Sequence, residues 1–172
     1  RGSQIINAGH VTTFNRYAVV SENRLTAVPQ DTDMEIAALL ADTLTTGFGI
    51  INNDAKLKIG ESAVVIGCGG IGLGVVLGAS LVGANPIIGV DIYDHKLNHA
   101  KQYGATHVIN SNKMKLMKGV LDILGGMPDL VVDGTGNPQV IETAYKLTKT
   151  TGRIILFGVM SHEKNVKLHT LP

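Results

Sequence analysis

Residues 63–72 read Ala-Val-Val-Ile-Gly-Cys-Gly-Gly-Ile-Gly, an apolar strand that enters a glycine-rich turn and then a helix. The glycines follow the spacing G-x-G-x-x-G. We expect Gly67 to make the tight turn, Gly69 to let a pyrophosphate approach the backbone, and Gly72 to let the helix pack closely on its strand. The helix N-terminus would offer unpaired N–H groups to the phosphates. The stretch therefore predicts a dinucleotide-binding turn, provided that the surrounding sequence has matching elements.

Short apolar segments alternate with helical segments after Glu61. Strands are predicted at 63–67, 87–91, 106–109, 129–133 and 154–158, and helices at 71–82, 96–103, 113–124 and 137–148. The first of these helices is apolar on nearly every side, which is typical of a helix buried on both sides. Continuous apolar strands indicate a parallel sheet covered on both faces, with right-handed connections. The predicted fold class is α/β, a doubly wound parallel sheet of the Rossmann type.

Asp91 ends the second predicted strand, about 20 residues after Gly72, at the spacing of a carboxylate that binds the ribose hydroxyls of adenosine. A solvated aspartate at a strand end is the simpler interpretation. Because the strand, the glycine turn, the helix and the acid occur in register, we favour a dinucleotide site. The same carboxylate would repel a 2′-phosphate, so NAD is predicted in preference to NADP. The turn 134–136 and Phe157 follow other strands at the same ligand-binding end of the sheet.

The composition gives no support for nucleic-acid or membrane binding. The chain has 172 residues, of which 44% are hydrophobic and 17% are charged, and its net charge is +1. This is enough to bury one sizeable core, and it leaves no electrostatic footprint for nucleic acid or an anionic membrane. No apolar run reaches the ~20 residues of a membrane helix, and no signal peptide is visible. The single cysteine fits a reducing, cytoplasmic location.

Cys68 lies inside the glycine turn, where a nucleophile is one interpretation. A cysteine at this position is more often a small side chain that fills space, and no histidine lies at a motif-like distance. The six histidines have no metal-binding spacing. His95 and His99 share one face of a predicted helix, where a solvated pair is the favoured interpretation.

The segment before residue 31 is predicted to belong to a larger unit. It contains two β-like runs, 17–20 and 25–28, separated by the polar turn 21–24. Two short strands do not form a stable unit on their own. We therefore interpret residues 1–30 as a β remnant of another domain.

A helix is predicted to begin near Asp33, because Thr32-x-x-Glu35 has the spacing of a capping box before an apolar run. Residues 43–47 are rich in threonine and end in glycine, which are poor helix formers, so they should interrupt this helix. The interruption holds Asp42 and Thr46. It is either a capped turn between two helical pieces or a kink that faces a ligand.

Several of these segments together resemble the zinc-containing alcohol dehydrogenases of the medium-chain dehydrogenase/reductase superfamily. They are 39–49 (LLADTLTTGFG), 67–72 (GCGGIG), 90–92 (VDI), 103–106 (YGAT), 132–136 (VDGTG) and 152–158 (GRIILFG). The similarity runs in order over about residues 17–159. It implies hydride transfer between a small-molecule alcohol and NAD, with zinc acting as a Lewis acid on the substrate oxygen.

The resemblance also implies a set of cofactor-binding residues. They are Gly67, Gly69, Gly70, Ile71 and Gly72 at the pyrophosphate, Asp91 and Lys96 at the adenosine ribose, Ile92 and Thr135 at the adenine, and Phe157 and Gly158 at the nicotinamide. Thr46 would be a catalytic residue beside the nicotinamide. Asp42 falls where many family members have a cysteine that ligates the catalytic zinc, and a carboxylate is a competent zinc ligand.

The resemblance further implies that residues 31–172 are an NAD-binding domain without its last strand. Such a chain should bind cofactor without turning over substrate, and its open strand at 154–158 favours a homo-oligomer. The alternatives are a zinc-free quinone or enoyl reductase of the same superfamily, a nucleotide-sensing regulatory domain, and a methyltransferase. A sensor has no need of the segment 42–49, and a methyltransferase usually has a carboxylate directly before the glycine turn, where this chain has Ile66.

Overall fold

The computed structural model describes residues 16–168, and the chain divides into two compact units, Arg1–Ala37 and Ala38–Pro172. All strands among the described residues belong to the second unit and form one five-stranded parallel sheet. The strands are β1 (Ala63–Ile66), β2 (Ile87–Asp91), β3 (His107–Asn110), β4 (Leu130–Asp133) and β5 (Arg153–Leu156). The predicted α/β fold with a doubly wound parallel sheet is confirmed.

The strand order is β3-β2-β1-β4-β5, so the chain reverses its direction of winding at β1. Ile66 at the end of β1 pairs with Val90 on one side and with Asp133 on the other. The strand ends are thus level, and the glycine turn leaves β1 at the switch point between β1 and β4. In open parallel sheets, ligands bind in the crevice at this position.

Two helical layers cover the sheet. The helices of the second unit that follow β1 are α3 (Gly70–Val82), α4 (Asp94–Gln102), α5 (Leu116–Leu124) and α6 (Pro138–Leu147). Val65 packs with α3 and α4 on one face, whereas Val64 packs with α5 and α6 on the other. Because side chains alternate along a strand, an all-apolar strand fills both layers at once.

The predicted elements and the observed ones differ mainly in their ends. Helix α4 begins at Asp94 and α5 at Leu116, and β5 ends before Phe157. Asn137 caps α6, since its side-chain oxygen accepts hydrogen bonds from the N–H groups of Gln139 and Val140. Helix α3 is buried on most sides as predicted, with the exception of Leu81, which is 72% exposed.

The two strands predicted at 17–20 and 25–28 are wrong. Among residues 16–33, the only regular element is a single 3₁₀ turn at Glu22–Arg24. Val19 is 94% exposed and Leu25 is 63% exposed, so within residues 16–33 neither run is paired in a sheet or buried in a core. Strand propensity alone does not make a strand, because a strand needs hydrogen-bonding partners.

The predicted start of the following helix is correct, but its predicted cap is not. Helix α1 spans Met34–Leu39. Asp33, rather than Thr32, caps it, because an Asp33 carboxylate oxygen accepts hydrogen bonds from the N–H groups of Glu35 (2.8 Å) and Ile36 (3.3 Å). Aspartate at the N-cap satisfies backbone donors that have no partner inside the helix.

The predicted interruption after residue 42 is also wrong, because the backbone stays helical to residue 55. The helix widens into π turns at Leu40–Leu44 and Ile50–Ala55, on either side of the short helix α2 (Thr45–Gly49). Thr45 supports the first wide turn by donating its hydroxyl to the carbonyl oxygen of Ala41 at 2.9 Å. Single π turns occur often at functional sites, so the threonines reshape this helix without ending it.

The helical segment Met34–Ala55 has 22 residues and is apolar enough to cross a membrane by length and composition, contrary to the expectation that no run reaches that length. A core helix of a soluble protein meets the same criterion. Ile50, Ile51 and Ala55 are at most 4% exposed and belong to the core that lies against α3. These three residues lie at the carboxyl end of the segment, and only 17% of its apolar window is buried.

Candidate dinucleotide site

The glycine turn has the geometry that its sequence predicts. Gly67 has a φ of +96°, and its N–H donates to the carbonyl oxygen of Val90 at 2.8 Å. A Cβ at Gly72 would overlap the carbonyl oxygen of Gly67, whereas a Cβ at Gly69 would meet nothing within 4 Å. No side chain caps α3 at Gly69, so the first N–H groups of the helix are left for a ligand.

A cleft of about 1100 Å³ opens at the carboxyl end of the sheet. This is slightly more than the ~300–1,000 Å³ that is usual for ligand sites. Most of the predicted site residues line it: Asp42, Gly67, Gly69, Gly70, Ile71, Gly72, Asp91, Ile92, Lys96, Thr135 and Phe157. Thr46 and Gly158 are not among its lining residues.

Asp91 is only 8% exposed and already accepts three backbone hydrogen bonds. One oxygen accepts from the N–H groups of Ile92 (2.8 Å) and Tyr93 (3.0 Å), and the other from Cys68 (2.9 Å). A carboxylate has about four acceptor positions, so one is left for a ribose hydroxyl. The bond to Cys68 also ties the glycine turn to the end of β2, a role that the sequence did not predict.

The side of the cleft next to Asp91 contains residues that the sequence analysis missed. Tyr93 is half-exposed, and the Lys96 Nζ lies 5.2 Å from the centroid of its ring. Other lining residues come from the start of α5 and from α6, among them Met117, Val140 and Thr143. Every loop that follows a strand of a parallel sheet lies at the same end of the sheet. The residues at the predicted helix starts could therefore have been predicted to line the cleft.

Cys68 fills space beneath the glycine turn, as predicted. Its side chain is buried, and the Sγ lies 3.6 Å from the carbonyl oxygen of Val90. Burial, together with the nearby Asp91 carboxylate, raises the pKa of the Cys68 thiol to about 12. Because the nucleophilic form of cysteine is the thiolate, this thiol is unsuited to catalysis at neutral pH.

Asp42 and Thr46 come together at the other side of the cleft. The Thr46 hydroxyl donates to a carboxylate oxygen of Asp42 at 2.8 Å. Residues four apart lie on one side of a helix, so the continuous helical backbone brings the two side chains together. Asp42 is exposed and lines the cleft, with Thr43 beside it. Asp42 thus faces the cleft, and the interpretation that this segment faces a ligand stays a prediction.

Close backbone contacts hold this segment against α3. A Cβ at Gly47 would lie 2.6 Å from the carbonyl carbon of Gly74, and one at Gly74 would lie 2.9 Å from the carbonyl oxygen of Thr43. Gly70, Gly74 and Gly78 recur every fourth residue and so form one stripe along α3. This repeat is visible in the sequence and was missed. It brings Asp42 next to the glycine turn.

The described residues fit a bound dinucleotide, but they do not form a complete zinc site. The open backbone at Gly69, the uncapped start of α3 and the spare acceptor of Asp91 fit a pyrophosphate and a ribose. Within residues 16–168, no group of three or more His, Cys, Asp or Glu side chains is placed to hold a metal ion. A catalytic zinc takes three protein ligands, of which Asp42 would supply one.

The sequence pattern described as zinc-binding dehydrogenase matches residues 70–172. The chain belongs to the zinc-binding dehydrogenase family. It is 37% identical to the S-(hydroxymethyl)glutathione dehydrogenase of Paracoccus denitrificans, over 92% of this chain and 44% of that protein. It is 34% identical to the class-3 alcohol dehydrogenase of Cereibacter sphaeroides, over 92% and 44%.

The fold comparison agrees with this membership of the zinc-binding dehydrogenase family. The crystal structure of benzyl alcohol dehydrogenase from Acinetobacter calcoaceticus superposes with a TM-score of 0.88 at 31% identity, over 93% of this chain and 44% of that chain. The chain therefore spans less than half the length of the relatives it matches. The predicted resemblance to zinc-containing alcohol dehydrogenases is confirmed, while the roles of single site residues stay predictions.

Proposed function

We propose that this chain is the NAD(H)-binding part of an alcohol dehydrogenase. The observation that carries the proposal is the open glycine turn at the start of α3, next to Asp91 with an acceptor to spare. Backbone N–H groups at a helix N-terminus attract phosphate, and the neighbouring carboxylate selects for a ribose with free hydroxyls. Membership of the zinc-binding dehydrogenase family supports the same assignment.

The adenosine half of NAD would lie across the ends of β1 and β2. The first N–H groups of α3 would hold the pyrophosphate, with the φ of Gly67 (+96°) fixing the direction of the turn. Asp91 and Lys96 would bind the ribose. Ile92 is 45% exposed and would cover one face of the adenine, with Thr135 across the cleft.

The nicotinamide half would lie toward Phe157, Gly158 and Thr46. Phe157 lines the cleft and is half-buried, so its ring offers an apolar wall to the nicotinamide. When bound, the nicotinamide would accept a hydride from the alcohol carbon or, in its reduced form, return one to the carbonyl carbon. The Thr46 hydroxyl donates its proton to the Asp42 carboxylate at 2.8 Å, so its oxygen would serve as a hydrogen-bond acceptor in this region.

We propose that the active enzyme is zinc-dependent and acts on a small-molecule alcohol. Asp42 would contribute one zinc ligand, and the other ligands would come from parts of the enzyme outside residues 16–168. In this proposal residues 31–172 are the cofactor domain and residues 1–30 belong to a catalytic domain. The relatives named above act on S-(hydroxymethyl)glutathione and benzyl alcohol by their names, which agrees with an alcohol as substrate class.

Two proposals concern the state of the protein in the cell. Strand β5 has one partner, β4, among the described residues, and its free side favours association with a second copy. Light scattering at increasing concentration checks this, and a strict monomer contradicts it. The buried, unpaired thiol of Cys68 agrees with a reducing cytoplasm.

The test of the proposed function is a binding titration of this chain. NADH fluorescence should saturate, NADPH should bind about tenfold more weakly because Asp91 repels its 2′-phosphate, and S-adenosylmethionine should not compete. Reduction of NAD in the presence of an alcohol should stay at background. Absence of NADH binding contradicts the cofactor assignment, and measurable turnover contradicts the view that catalysis needs further residues.

A further inference from the structure

The turn after β4 and the segment after β5 interlock at the carboxyl end of the sheet. A Cβ at Gly136 would lie 2.5 Å from the carbonyl oxygen of Val159, and a Cβ at Gly158 would lie 2.7 Å from the carbonyl carbon of Gly134. A Cβ at Gly134 would overlap the ring of Phe157. The two segments are thus in backbone contact, and neither can shift without displacing the other.

Asp133 is the hub of this contact. Its carboxylate accepts hydrogen bonds from the Thr135 hydroxyl (2.8 Å) and from the Gly136 N–H (3.2 Å). Its carbonyl oxygen accepts from the N–H groups of Phe157 (3.0 Å) and Gly158 (3.2 Å). One residue therefore fixes the 134–136 turn through its side chain and the start of the 157–159 segment through its backbone.

The surroundings of Asp133 are costly for a carboxylate. The residue is 0% exposed, and none of the ion pairs among residues 16–168 includes it. Burial raises the pKa of Asp133. A buried carboxylate without a cation gives less stability than a neutral or apolar group would, so stability alone does not explain it. The 134–136 turn explains why a carboxylate is buried here, because the Thr135 hydroxyl and the Gly136 N–H both need an acceptor.

We propose that Asp133 is a positioning residue for the nicotinamide. The inference rests on the proposed function, in which the nicotinamide lies against Phe157 and Gly158. The carboxylate holds the 134–136 turn in place. The close contacts of Gly134 and Gly136 then fix the position of the 157–159 segment. Asp133 itself does not line the cleft, so it acts through these neighbours.

The substitution Asp133→Asn tests this with little change of shape. The asparagine Nδ2 is a donor, so one of the two donors of the turn loses its acceptor and the turn must move. The affinity for NADH should fall about tenfold. The affinity for ADP-ribose, which lacks the nicotinamide, should fall less, by at most about threefold, because Thr135 would be its one contact with the 134–136 turn and its other contacts would come from β1, β2 and α3.

The matched control is Asp129→Asn at the other end of the same strand. Asp129 binds Ser62 and Lys149 and does not line the cleft, so both affinities should stay at their wild-type values. Calorimetric titration of the wild-type chain and both variants with NADH and with ADP-ribose measures how much affinity each variant loses for each ligand. Equal losses for NADH and ADP-ribose in Asp133→Asn, or a loss of thermal stability alone, overturn the inference.

A second measurement covers the case in which Asp133→Asn does not fold. Hydrogen exchange at the N–H groups of Gly136 and Phe157 in the wild-type chain should slow about tenfold more with NADH than with ADP-ribose. Equal protection by the two ligands overturns the inference. A wild-type chain that binds neither ligand contradicts the proposed function, and the inference falls with it.

Discussion

The amino end and the carboxyl end of the sheet both carry acidic side chains, but the partners of these acids differ. At the amino end, Glu61 forms an ion pair with Arg153, which begins β5. Asp129, just before β4, pairs with Lys149 at 2.9 Å and accepts a hydrogen bond from the Ser62 hydroxyl at 2.8 Å. These contacts tie β1, β4 and β5 together where no ligand is expected.

At the carboxyl end, the exposed Asp94 pairs with Lys113, but the two buried acids, Asp91 and Asp133, have no cation partner in an ion pair among residues 16–168. Asp91 accepts from three backbone N–H groups, and Asp133 accepts from one N–H and one hydroxyl with its side chain. Ion pairs at one end therefore serve stability, whereas acceptors at the other end shape turns and leave capacity for a ligand. Changes at the two ends should thus affect different quantities.

The largest effect is expected for Gly72→Ala at the carboxyl end. The new Cβ overlaps the Gly67 carbonyl oxygen, so the turn must open or the helix must shift. NADH affinity should fall by more than about 100-fold, and the free energy of unfolding by about 3 kcal/mol. Fluorescence titration and urea unfolding measure the two effects.

The matched control for Gly72→Ala is Gly69→Ala, where the added methyl group meets no protein atom within 4 Å. Its φ of −78° also suits alanine. This variant should keep wild-type stability and lose NADH affinity, because the methyl group occupies the space for the pyrophosphate. Wild-type NADH affinity in both variants would mean that the turn does not bind the cofactor.

The next effect is expected for Asp91→Ala. It removes the ribose acceptor and also the acceptor of the Cys68 N–H. NADH affinity should fall about 30-fold, since hydrogen bonds to a charged group contribute ~1.5–3 kcal/mol. NADPH affinity should fall far less, because the repulsion of its 2′-phosphate disappears. Equal losses for both cofactors would remove the ribose role.

A smaller effect on a different quantity is expected for Asp129→Asn at the amino end. The ion pair with Lys149 is partly exposed, with 26% exposure of the Asp129 side chain. The free energy of unfolding at neutral pH should therefore fall by only about 1 kcal/mol. NADH affinity should not change. A loss of NADH affinity in this variant would contradict the division of roles between the two ends.

The sheet and its glycine turn were predictable from sequence because their signals are local. Apolar strands, the G-x-G-x-x-G spacing and Asp91 each lie within one βαβ unit, and that unit has little freedom in its topology. The strands predicted at 17–20 and 25–28 failed for the opposite reason, since strand formation depends on partners elsewhere in the chain.

The candidate site was only partly predictable. The helix that carries Asp42 and Thr46 continues through Gly47, which lies in close contact with Gly74 of α3, and local helix propensity does not report such a contact. Asp133 was missed because its sequence neighbours do not reveal that its side chain is 0% exposed. Propensities describe one segment at a time, whereas burial is a property of the whole fold.

The smallest expected effect is on how stability changes with pH. The change should have opposite signs for Asp129, just before β4, and Asp133, at the end of β4. Hydrogen bonds from Lys149 and Ser62 lower the pKa of Asp129 from 3.8 to about 2, whereas burial raises the pKa of Asp133 above 3.8. The contribution of Asp129 to stability is present above pH 3.8 and is lost as the pH falls toward about 2. Ionisation of Asp133 opposes folding, so its cost is absent below pH 3.8 and grows as the pH rises through its raised pKa.

Urea unfolding of the wild-type chain, Asp129→Asn and Asp133→Asn between about pH 6 and about pH 3 measures this sign. On acidification, the stability advantage of the wild type over Asp129→Asn should shrink. Its stability relative to Asp133→Asn should grow over the same range, because the wild-type carboxyl becomes neutral where the asparagine is neutral throughout. Slopes of the same sign for both variants would mean that the carboxylates of Asp129 and Asp133 experience similar surroundings, and the contrast between the two ends of the sheet would not hold.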